Sequence, residues 1–183
     1  MIKTVKFISQ LRMEHRTPPC QNTAVISIVA PGCGAAAFKD CDFNSVLRLT
    51  FDDLSEEDIK EPIGSIPDLD PDGPILWHNL QLPDMNHANA IVDFLDCLSC
   101  ENVIVHCYAG ISRSAAVAKF ISKKYNAILS EEFGDTSFAN KRVLRLLNKV
   151  INNQFVKVGK YHPSGEMSVV GNQDDFDFNH NKI

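Results

Sequence analysis

His106-Cys107-Tyr108-Ala109-Gly110-Ile111-Ser112-Arg113-Ser114 separates two segments of different character. Before it, Asn102-Val103-Ile104-Val105 is an apolar, β-branched run that reads as a buried strand. After it, Ala115-Ala116-Val117-Ala118-Lys119-Phe120-Ile121 has helix-forming composition. A cysteine and an arginine six positions apart therefore sit in a loop that leaves a strand and opens a helix. Consecutive backbone N–H groups in such a loop point into one concavity, and the helix N-terminus adds positive potential. A dianionic oxyanion fits there, gripped by the planar guanidinium of Arg113. The same field stabilises a thiolate, so Cys107 is expected to act as a nucleophile at neutral pH.

Upstream, Thr4-Val5-Lys6-Phe7-Ile8 alternates and predicts a first, partly exposed strand, followed by a polar connection over residues 11–22 that contains Pro18-Pro19. Ala24-Val25-Ile26-Ser27-Ile28-Val29 is apolar enough for a central strand and ends in the turn Pro31-Gly32-Cys33-Gly34. Ser45-Val46-Leu47-Arg48-Leu49-Thr50-Phe51 alternates cleanly and runs into Asp52-Asp53. Residues 54–82, which hold the only tryptophan, Trp77, lose all periodicity; a loop of that length in a compact domain usually carries function. Asp84 is the expected N-cap of a helix whose core stripe is Ile91, Phe94, Leu95 and Leu98. Downstream, a polar break over 131–139 precedes a basic amphipathic helix, with Val143, Leu146, Leu147 and Val150 inward and Lys141, Arg142, Arg145 and Lys149 outward. The order of elements predicts an α/β domain with a mostly parallel central sheet flanked by helices. It spans residues 1–155 and leaves a polar tail, 156–183, expected to be poorly ordered. Phosphate would bind at the carboxyl end of the Val103–Val105 strand.

The chain has 183 residues, a net charge of -5 and a pI near 5.6, which argues against a general nucleic-acid binder. Met1 to Gln10 alternates polar and apolar residues rather than forming the apolar core of a secretion signal. Residues 23–38, the longest apolar-rich run, are broken by Ser27, Pro31 and two glycines, so no membrane association is expected. Because a catalytic thiolate needs reducing conditions, the six cysteines are read as free thiols of a cytoplasmic, soluble enzyme.

The stretch at 106–114 resembles the His-Cys-x5-Arg-Ser/Thr signature of the cysteine-based protein tyrosine phosphatases, and its short chain resembles their dual-specificity branch, of bacterial and phage type. His106, Cys107, Gly110, Arg113 and Ser114 carry the match, in the expected strand–loop–helix context. The resemblance covers roughly residues 22–150 and is topological outside the loop. It implies a phosphatase fold and a phosphomonoesterase acting through a cysteinyl-phosphate, with no metal or other cofactor and a phosphorylated protein as substrate. Cys107 would attack phosphorus, while the backbone of Tyr108, Ala109, Gly110, Ile111, Ser112 and Arg113, with the Arg113 side chain, would hold the phosphoryl oxygens. Ser114 would donate a hydrogen bond to the departing sulfur. His106 would organise the loop by hydrogen bonding, and in that family it favours the thiolate.

The proton for the leaving oxygen must come from elsewhere. Family placement, on a loop just after an alternating strand, points to Asp53 with Asp52 as runner-up. The long segment that follows keeps Asp68, Asp70, Asp72 and Asp84 in contention. Phosphatases of phosphoinositides, inositol phosphates or RNA 5′ ends share such a loop but usually add basic residues to it, and Tyr108, Ala109, Ile111 and Ser112 are uncharged. A phosphate-binding pseudophosphatase typically lacks the cysteine or the arginine, and this chain keeps both. Asp68-x-Asp70-x-Asp72-Gly73 imitates an EF-hand loop, but Pro71 and Pro74 interrupt it and Asn79 stands where the closing glutamate belongs. Cys97-x-x-Cys100 lacks two further soft ligands and reads as helix-end packing. Cys33, after a strand expected to neighbour Val103–Val105, is a candidate resolving thiol for an oxidised Cys107.

Overall fold

Runs of β-branched and aromatic residues become five strands: β1 (Thr4–Ser9), β2 (Cys20–Val29), β3 (Phe43–Thr50), β6 (Asn102–Cys107) and β7 (Ile128–Ser130). They form one sheet in the order β3-β2-β6-β1-β7, with every pairing parallel. Between β3 and β6 lies a separate antiparallel pair, β4 (Leu76–Trp77) with β5 (Leu80–Gln81). The helices are α1 (Gln10–Arg16), α2 (Met85–Asp96), α3 (Arg113–Tyr125) and α4 (Lys141–Val158). The computed structural model describes residues 1–55, 58, 72–73, 76–77, 80–130 and 136–158. Among these, no helix is long and apolar enough to cross a membrane.

Period-two alternation sends side chains to both faces of the sheet. Val5, Phe7, Ile26, Ile28, Val103 and Val105 face the larger core, where α2, α3 and α4 contribute Ile91, Ile121 and Leu147. Ile8, Val25 and Ile104 face the other way, onto Met13 of α1 and Phe43. A helix of seven residues is too short to stand alone in water. Burying Met13, 1 % exposed, contributes about 1.5–3 kcal/mol toward holding α1 in place.

The α/β architecture with a parallel central sheet is therefore as the sequence predicts, with two differences. The connection at 11–22 contains α1, capped by the Ser9 hydroxyl, and β2 begins at Cys20 rather than Ala24. β1 is partly exposed as expected: it lies between β6 and β7, with Thr4, Lys6 and Ser9 half-buried and Val5, Phe7 and Ile8 at 2 % exposure or less. Helix α4 runs to Val158, past the expected domain end at 155, while the rest of the predicted tail lies outside the described residues.

The parallel arrangement gathers the carboxyl ends of the strands on one edge. Ser9 of β1 pairs with Cys107 of β6, Ser27 of β2 with His106, and Thr50 of β3 with Val29 of β2. The 106–114 loop and the Asp52-Asp53 turn thus emerge on the same side.

Candidate active site

Cys107 is the last residue of the central strand β6, and its side chain lies under the loop it begins, at 1 % exposure. The Gly110 N–H donates to its Sγ at 3.3 Å, and the Ser114 hydroxyl lies 3.1 Å from the same sulfur. Gly110 is the residue that lets the loop close so tightly. Its φ is +74°, and a Cβ there would stand 2.4 Å from the backbone of Ile8 and Ser9 at the end of β1. A second tie fastens the same two segments: the Gln10 N–H donates to the Tyr108 carbonyl. The outer side of the loop is apolar, with Tyr108 74 % and Ile111 44 % exposed.

Arg113 opens α3 and is turned inward, 5 % exposed. One guanidinium nitrogen, Nη1, donates to the Phe51 carbonyl at 2.8 Å, which fixes the group against the exit of β3. Its Nε is buried and has no hydrogen-bond partner among the described residues. A buried guanidinium N–H that lacks a hydrogen bond costs free energy. Ser112 stands at the N-cap of α3, yet its side chain does not cap the helix. The α3 N-terminus thus keeps the positive potential that attracts anions, with no side-chain acceptor from its own N-cap.

The Ser112 hydroxyl instead donates to Asp53 Oδ1 at 2.7 Å, and the Asn140 side-chain amide donates to the same oxygen at 2.9 Å. The other carboxylate oxygen, Oδ2, lies 3.7 Å from Arg113 Nε. Asp53 therefore meets the loop, whereas Asp52, Asp72 and Asp84 are engaged elsewhere. Asp52 exchanges two hydrogen bonds with the backbone of Gln81, each 2.7 Å. Asp84 caps α2 in a reciprocal box with His87, whose ring also packs edge-on against Phe51. Asp72 is clamped by Arg145 and Lys149 of α4, a role at odds with the calcium-loop imitation. Asp68 and Asp70 lie outside the described residues.

His106 behaves differently from expectation. It is fully buried and packs edge-on against Phe38, and neither ring nitrogen has a hydrogen-bond partner among the described residues. Among the described residues its ring makes no hydrogen bond to the loop. Burial, with Arg48 adding to it and Glu14 opposing, lowers its pKa to about 4, so the imidazole is neutral at pH 7.

Comparison with family models, curated proteins and solved structures finds no match. What the site can do is read from its own chemistry.

Asn140 is the site residue that the sequence reading missed. It falls one position before the basic amphipathic helix, where an Asn signals an N-cap, and its Oδ1 does accept from the Val143 N–H. Nothing local announces its second contact, with Asp53. Of the remaining cysteines, Cys97 caps the end of α2 and Cys100 is buried, its thiol raised chiefly by that burial. Cys33 is exposed in the turn after β2, the strand that pairs with β6.

Proposed function

We propose that the protein is a cysteine-dependent phosphomonoesterase of the tyrosine and dual-specificity phosphatase type, acting on phosphorylated protein. The observation that carries this reading is the loop at the N-terminus of α3, which folds over the buried sulfur of Cys107, sets the Gly110 N–H and the Ser114 hydroxyl against it, and ends in the buried guanidinium of Arg113. Cys107 Sγ attacks phosphorus as the ester P–O bond breaks, and Arg113 with the loop amides holds the equatorial oxygens. The Asp53 carboxyl gives its proton to the departing oxygen. Water then attacks the cysteinyl-phosphate, Asp53 takes the proton back, and the Ser114 hydroxyl, 3.1 Å from Sγ, stabilises the leaving sulfur. An apolar rim formed by Tyr108 and Ile111, with no charged side chain in the loop except Arg113, favours an aryl phosphate ester over a polyanionic substrate.

The test is hydrolysis of phosphotyrosyl peptide by the purified chain, with trapping of a phosphoenzyme. Cys107→Ser should abolish turnover, and Arg113→Lys should come close to doing so, because an ammonium lacks the planar two-point grip. Undiminished phosphate release by Cys107→Ser would sink the mechanism.

A further inference from the structure

Asn140 stands where three segments meet. Its backbone N–H donates to the Ser112 carbonyl at the start of α3, at 3.2 Å. Its side-chain oxygen caps α4, and its side-chain amide donates both to Asp53 Oδ1 and to the Leu54 carbonyl, at 3.2 Å in the latter case. Capping needs only an acceptor, which Ser, Thr or Asp would supply equally well. Donation to a carboxylate from the same side chain needs the amide. The residue type at 140 therefore matches a double task rather than a cap alone. Ser112 makes the same choice, leaving its own helix uncapped to bond Asp53.

We propose that Asn140 and Ser112 are positioning residues that orient the Asp53 carboxyl so that Oδ2 is the oxygen that delivers the proton. The inference rests on the phosphatase reading above. Oδ1 accepts hydrogen bonds at 2.7 and 2.9 Å, and a proton placed there would displace one donor. Oδ2, beside Arg113 Nε, is the oxygen closest to the group that holds the phosphate. In the first step the Oδ2–H bond breaks as the ester P–O bond breaks; the proton goes to the departing oxygen while the Sγ–P bond forms. The pair also joins the turn after β3 to the starts of α3 and α4, so acid and phosphate loop keep one geometry.

A misplaced acid matters in proportion to how badly the leaving oxygen needs a proton. Phenolate needs one, whereas 2,4-dinitrophenolate leaves without it. The experiment measures kcat for phenyl phosphate and for 2,4-dinitrophenyl phosphate with the wild-type chain, Asn140→Ser, Ser112→Ala, Asp53→Asn and the double variant Asn140→Ser/Asp53→Asn. Serine keeps the helix cap, and thermal unfolding checks that the chain is folded. The phenyl-to-dinitrophenyl rate ratio should fall about tenfold in Asn140→Ser and in Ser112→Ala. Adding Asn140→Ser to Asp53→Asn should lower it no further, since the two act through one group. Equal losses on both esters, which leave the ratio unchanged, would make Asn140 merely structural and overturn the inference; so would a further fall in the double variant. Should the wild-type chain fail to hydrolyse either ester through Cys107, the phosphatase reading itself falls, and this inference with it.

Discussion

Gly110 and Gly32 both adopt positive φ, +74° and +77°, yet they meet different surroundings. At Gly32 nothing lies within 4 Å of where a side-chain methyl would stand, so alanine there faces backbone strain alone, about 1–2 kcal/mol. At Gly110 the same methyl would meet Ile8 and Ser9 backbone atoms that no side-chain rotation can move aside. We expect Gly110→Ala to cost at least twice as much stability as Gly32→Ala in urea unfolding, and to lose the proposed phosphate-ester hydrolysis as the loop opens. Equal costs would mean that the loop can shift off β1 without penalty. The residue scale is also where the sequence was most legible. Cys107 and Ser114 meet across the loop, 3.1 Å apart, because a short run of consecutive loop residues fixes its own relative placement.

At the scale of elements, long-range partners mark the limit of that legibility. Strand β6 and helix α3 were readable because composition changes abruptly at each end of the loop. Helix α1 was not: seven residues with one fully buried apolar side chain, Met13, leave no periodic stripe, and Pro18-Pro19 dominates the composition nearby. Asn140 lies 87 positions from Asp53, and no local pattern encodes that pairing. The basic face of α4 was read as solvated, but Arg145 and Lys149 grip Asp72, whose side chain is only 9 % exposed. Burial alone would raise the Asp72 carboxyl, and hydrogen bonds from Lys149 and Arg145 outweigh it, holding the group below its ordinary value. A carboxyl lowered by folding adds stability above its unfolded pKa and loses it as pH falls through the folded one. Both cations are substantially exposed, so the clamp contributes about 1 kcal/mol. Asp72→Asn should therefore destabilise the protein by about that much at pH 7 and by less as the pH is lowered below about 4, by urea denaturation. An equal loss across that range would assign the effect to packing instead.

For the whole molecule, the central strand carries its own acid sensitivity. His106 sits between the sheet and Phe38, immediately before the proposed nucleophile, with burial as the main cause of its pKa near 4. The charged groups that act on it are Arg48 of β3, which reinforces the shift, and Glu14 of α1, which opposes it. In the unfolded chain the imidazole titrates near 6.5, so between about pH 6.5 and pH 4 the unfolded state binds a proton that the native state refuses. Stability from this group is complete above pH 6.5, declines as pH falls across that window, and changes no further below it. The shift corresponds to about 3 kcal/mol, a sizeable share of what holds a domain of this size together. His106→Leu removes the titrating group while leaving the carboxylates and the other histidines unchanged. Urea unfolding of both proteins at half-unit pH steps should show the wild type losing about 3 kcal/mol more than the variant between about pH 7 and pH 4. Parallel pH profiles would mean that the imidazole finds a partner or water on protonation, and that acid unfolding is driven by the carboxylates alone.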